Sequence, residues 1–91
     1  MKAALYIRVS TQEQAIEGYS ISSQRQKLSA YAYSQGWEIV DYYVDEGKSA
    51  KDLDRPELKR MLDDIKQHKI DVVLVYRLDR ITRSVMDLYK L

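Results

Sequence analysis

The chain has 91 residues, of which 15 are Lys or Arg and 14 are Asp or Glu, for a formal net charge of +1. Such a length allows one small domain with a marginal core, and near-neutrality excludes nucleic-acid binding by bulk charge, so any basic site must be local. Cysteine is absent, which excludes disulfides and thiolate chemistry, and the single histidine, His68, argues against a histidine metal cluster or a Ser-His-Asp triad within the chain.

The longest apolar runs, Ala3 to Ile7 and Val72 to Tyr76, are too short to span a membrane. The expectation is a cytoplasmic protein with no membrane partner and with residues 1–91 forming one unit. Charge is unevenly placed: residues 1–37 and 65–91 are net basic and 38–64 net acidic. A fold that joins the two ends would create a local positive site.

Lys2 to Val9 is apolar and partly β-branched, and reads as a strand buried on both faces. Thr11 to Tyr19 is polar and reads as a loop. Ser20 can cap a helix running to about Gln35, with Ile21, Leu28, Tyr31 and Ala32 on one side and Gly36 at its end. Trp37 to Val44 reads as the second strand, followed by a polar loop from Asp45 to Leu53. Asp54 and Glu57 have capping-box spacing, and Pro56 falls in the first turn of a helix carrying Leu58, Met61, Leu62 and Ile65 on one face. Ile70 to Tyr76 reads as a central parallel strand, and the residues from Ser84 onward read as a third helix.

The order β-α-β-α-β-α predicts an α/β fold: three layers, with a mainly parallel sheet between helices and right-handed crossovers. Parallel strands place their carboxyl ends on one edge, the edge where ligands bind in open sheets. Residues at the end of the first strand and at the end of the third therefore become neighbours.

Alternation puts Tyr6, Arg8 and Ser10 on one face of the first strand. A charge in an apolar strand needs a partner; either Arg8 and Ser10 point together at an anion, or Arg8 is salt-bridged and Ser10 merely opens a loop. Arg77, Arg80 and Arg83 cluster at the end of the third strand, and guanidinium groups suit phosphate because they donate paired hydrogen bonds. A helical turn would put Arg80 and Arg83 on one side. Combined with Arg8 and Ser10, this cluster favours a phosphate site.

No Walker sequence is present. Asp41, Asp45 and Glu46 read as solvated, and His68 as a partner for a helix carboxyl terminus. Tyr31, Tyr33, Tyr42, Tyr43 and Tyr89 read as packing residues. That leaves Ser10 as the plausible nucleophile, with arginines to hold the charge that grows on a phosphodiester. Phosphoryl transfer by positioning and electrostatics follows, with no cofactor or metal required.

Tyr6-x-Arg8-Val9-Ser10, Gln24, Ser49, Arg55-Pro56 and Leu78-Asp79-Arg80-x-x-Arg83, taken together, resemble the catalytic domain of the serine site-specific recombinases, the resolvase–invertase family. The stretch Glu17 to Gln24 is more similar to the large serine integrases and transposon recombinases than to the small resolvases. The resemblance implies that Ser10 attacks a DNA phosphodiester and becomes joined to the 5′ phosphate. Arg8, Arg80 and Arg83 would surround that phosphate, with Asp79 and Gln24 orienting them. Ser49 would help hold the active-site loop, Arg55 would support it, and Tyr6 would belong to the same framework. Asp79 is a candidate for taking the serine proton.

The implied partners are double-stranded DNA and further copies of the protein, as a dimer and a synaptic tetramer. In the family, the catalytic domain continues to a long helix beyond the point matching Leu91, so the chain resembles an amino-terminal part of a recombinase. The expectations are that it is inactive alone and that its third strand is an exposed, self-associating edge. The alternatives are a phosphate- or nucleotide-binding α/β module without chemistry and, more weakly, a structural oligomerisation fragment.

Overall fold

A computed structural model describes residues 1–10, 12–15, 19–47, 55–79 and 83–90. Its elements are β1 (Lys2–Ser10), a short 3-10 turn (Glu13–Ala15), α1 (Ile21–Ser34), β2 (Glu38–Gly47), α2 (Pro56–Lys66), β3 (Val72–Asp79) and β4 (Arg83–Lys90). The sheet order is β2-β1-β3-β4. β1 pairs in parallel with both β2 and β3, and β4 runs antiparallel to β3.

β1 is central, and its apolar run is buried by helices on both sides. Ala3, Leu5, Ile7 and Val9 face α1, where they pack with Leu28, Ala32, Val72, Leu74 and Tyr76. Ala4 and Tyr6 face α2, with Met61, Tyr43, Ile70 and Val73. A period-two split of one strand into two cores is what a three-layer α/β fold requires, and the expected fold class holds.

The ends of the helices follow local chemistry. Ser20 caps α1 by accepting the Ser23 N–H at 3.1 Å. Gly36 lies past its other end at φ +73°, and Gly36 N–H to Tyr33 and Trp37 N–H to Ala32 close a Schellman turn. The same turn ends α2, with His68 N–H on Ile65 and Lys69 N–H on Asp64, but there the left-handed residue is His68, at φ 59°. His68 thus has a backbone job past the helix end, where the sequence pattern read it as a partner for the helix dipole.

Several expectations need correction. The segment from Ser84 onward is strand β4, not a helix. Eight residues are too few for periodicity to separate the two, and an apolar edge on β3 gains a full ladder by pairing with the segment that follows it. For the same reason β3 is not an exposed edge; β2 and β4 are the edges of the sheet.

The amino terminus of α2 is where the sequence spacing suggests an Asp54–Glu57 box. Its N-cap residue is Arg55, which makes no side-chain cap bond, and Asp54 lies outside the described residues. Asp45 closes the helix, and this carboxylate is 4% exposed where a solvated one was expected. Among the tyrosines, Tyr43 is buried and Tyr31 packs edge-on against Trp37, but Tyr33 and Tyr89 are exposed.

Candidate active site

The carboxyl ends of β1, β2 and β3 share one edge of the sheet, bringing Ser10, Gly47 and Asp79 to that side. Asp79 and Arg83 are Cα partners across the β3–β4 hairpin, so Arg83 starts β4 at the same edge. Ser49 and Arg80 lie outside the described residues. Arg83 is the first residue of a strand, and the expected helical relation to Arg80 falls on residues outside the described ones.

Ser10 is the last residue of β1 and is 2% exposed. Its Oγ accepts the Glu13 N–H at 3.2 Å, while Glu13 Oε1 accepts the Ser10 N–H at 2.9 Å. This is a reciprocal capping box closing the turn after β1. Glu13 is absent from the sequence-derived set of site residues. The signal was available as Ser10-x-x-Glu13, with no long helix after it to draw notice.

Two residues before Ser10, Arg8 is half-buried and stands in register with Asp45 of β2. Asp45 accepts the Tyr6 hydroxyl on Oδ2 at 2.8 Å, and its two oxygens accept the Glu57 and Leu58 N–H groups at 3.0 Å each. Burial, then the bond to Asp45 and its charge, push the Tyr6 hydroxyl well above its ordinary pKa, opposed by the Arg55 and Arg8 charges. Tyr6, Arg8, Asp45 and Arg55 therefore form one polar group between β1, β2 and the start of α2. Asp45 was missed as a member because its acidic neighbours made it look like surface.

Gln24 is fully buried in the first turn of α1. Its Nε2 donates to the Tyr19 carbonyl at 3.0 Å, while its Oε1 has no hydrogen-bond partner among the described residues. The Arg55 Nε is also buried without a partner among the described residues. Such groups are costly in a folded core, and here they belong to residues already singled out for chemistry. Among the described residues, no three His, Asp or Glu side chains converge as a metal-binding group, and no helix is long and apolar enough to cross a membrane. A depression of about 320 Å³ lined by Ile65, His68, Ile70 and Asp71 lies at the opposite edge of the sheet from Ser10.

The family model for the resolvase N-terminal domain matches residues 3–91, and the chain belongs to this family of serine recombinases. It is 43% identical over 84 residues to a putative DNA recombinase of Bacillus subtilis strain 168, covering 92% of this chain and 16% of that protein. It is 62% identical over 63 residues to an uncharacterized immunity region protein of Bacillus phage phi105, covering 69% of this chain and 77% of that one. Among solved structures, the N-terminal catalytic domain of TP901-1 integrase aligns with a TM-score of 0.73 at 47% identity, over 91% of this chain and 61% of that domain. The chain thus spans only part of the length of the proteins it matches.

Proposed function

We propose that this chain supplies the nucleophile-bearing half of a serine recombinase active site, and that Ser10 cleaves and rejoins DNA through a covalent 5′-phosphoserine ester. The observation that carries the reading is the position of Ser10, at the carboxyl end of the central parallel strand and on the same edge as Asp79 and Arg83. The Ser10 hydroxyl gives up its proton as its oxygen bonds to the phosphorus of a duplex strand, the P–O3′ bond breaks and the departing 3′ oxygen takes up a proton, and the ester retains the bond energy for rejoining. Arg8, Arg80 and Arg83 balance the charge on the phosphoryl oxygens. Asp79 and Gln24 orient these groups, with Ser49, Arg55 and Tyr6 supporting them. Double-stranded DNA is the substrate, and the complete recombinase works as a dimer that pairs into a tetramer.

The test grafts residues 3–91 into TP901-1 integrase in place of its matching segment and incubates the chimera with that enzyme's own site DNA. A denaturing gel should show protein joined to the 5′ phosphate, and Ser10→Ala should abolish the adduct. DNA binding without an adduct would favour a phosphate-binding module instead.

A further inference from the structure

The reciprocal pair between Ser10 and Glu13 holds the two parts of the serine with unequal strength. The backbone N–H of Ser10 meets an ionised carboxylate at 2.9 Å, a charge-assisted bond. The side-chain oxygen is reached by a neutral N–H at 3.2 Å, near the long limit for such a bond. The serine main chain is thus firmly clamped and its hydroxyl loosely parked. The bond to Oγ uses one lone pair of that oxygen and does not engage its proton. A nucleophile needs this combination: a fixed Cα from which the side chain can turn to the phosphorus, and an oxygen whose developing charge already faces an N–H.

Resting on the recombinase reading, we propose that Glu13 is a positioning residue for the Ser10 nucleophile. Its carboxylate closes the turn after β1, and closure of that turn puts the Glu13 N–H on Oγ. Glu13 Oε1 bonds to the Ser10 amide and not to the hydroxyl, so its work is geometric and not the removal of the serine proton. Glutamine can fill the same place, because its Oε1 accepts the same N–H.

The experiment compares Glu13→Gln and Glu13→Ala in two settings. In the 91-residue chain, the Ser10 amide is followed by NMR hydrogen exchange. Protection should survive in E13Q and be lost in E13A, with the amides of β3 unchanged in both. In the TP901-1 chimera, adduct formation is timed in a single turnover at saturating DNA. E13A should be about tenfold to a hundredfold slower, as expected for a misplaced reacting atom, with unchanged DNA affinity, and E13Q should be within about threefold of the parent.

Equal rates in E13A and the parent would overturn the proposal. An E13Q rate as low as that of E13A would also overturn it, since the charge and not the clamp would then matter. A faster E13A would make the box a restraint on Ser10, contrary to the proposal. A parent chimera that forms no adduct would remove the recombinase reading and this role with it, while the amide data would still report whether the box closes.

Discussion

The Tyr6 hydroxyl donates to Asp45 Oδ2 at 2.8 Å, and through this bond the central strand is tied to the helix on its far side. The same carboxylate accepts the N–H groups of Glu57 and Leu58, so one buried side chain of β2 closes α2 and anchors β1. Neither the strand nor the helix contains its own solution. α2 starts with Arg55 and Pro56, which offer it no side-chain acceptor.

Asp45→Ala should therefore be among the most destabilising single changes, because it strands three donors at once. We expect a loss of about 3 kcal/mol in chemical denaturation, within the range for breaking a buried network. Tyr6→Phe removes one of three bonds to a carboxylate that keeps the other two, and should cost about 1 kcal/mol. The double variant should cost less than the sum, since the two share a partner. Full additivity would show that the bond carries no coupling.

The pH dependence at the alkaline end follows from the same bond. Tyr6 and Tyr43 are both held above the ordinary tyrosine value of 10.0, first by burial and then by hydrogen bonds to Asp45 and Asp64. A group whose folded pKa is raised gives its full contribution below the unfolded value and loses it as pH rises toward the folded one. Stability should thus be flat up to about pH 10 and fall above it. In Tyr6→Phe the fall should be shallower, as measured by denaturation midpoints across alkaline pH.

Two substitutions at equivalent turns should move stability in opposite directions. Gly36 sits at φ +73° with open space around a built Cβ, so Gly36→Ala meets no clash and isolates the backbone cost, about 1 kcal/mol. His68 is exposed and already bears that cost at φ 59°. His68→Gly should return part of it and stabilise the chain by about 0.5–1 kcal/mol. Thermal unfolding checks both, and a destabilised His68→Gly would mean that the imidazole has a role of its own.

Much of this architecture is written in short-range pattern. The alternation of β1, the Ser20 cap and the Gly36 stop each depend on a few neighbouring residues, and each is found where the sequence puts it. Asp45 is different: its burial depends on α2 arriving twelve residues later with an open amino terminus, and no local window contains that. β4 failed for a related reason, since its conformation is decided by the unsatisfied edge of β3 beside it and not by its own eight residues. At the proposed site, Arg8 and Ser10 draw notice in the sequence because a charge and a hydroxyl interrupt an apolar strand. Glu13 was not, because an acidic residue in a polar loop has nothing to mark it.

Gln24 offers the sharpest separation of folding from chemistry. Its side chain is fully buried, its Nε2 serves Tyr19, and its Oε1 has no partner among the described residues. An orphaned buried acceptor costs about 1–3 kcal/mol, roughly what the Nε2 bond and the packing of the side chain contribute. Gln24→Met keeps the shape, removes the orphan and gives up one bond, so stability should stay within about 1 kcal/mol of the parent. If Oε1 is kept to receive a donor from the arginine cluster when DNA binds, adduct formation in the TP901-1 chimera should nevertheless fall at least about tenfold. An unaltered adduct rate in a variant of normal stability would remove Gln24 from the active site and leave it as a packing residue beneath Tyr19.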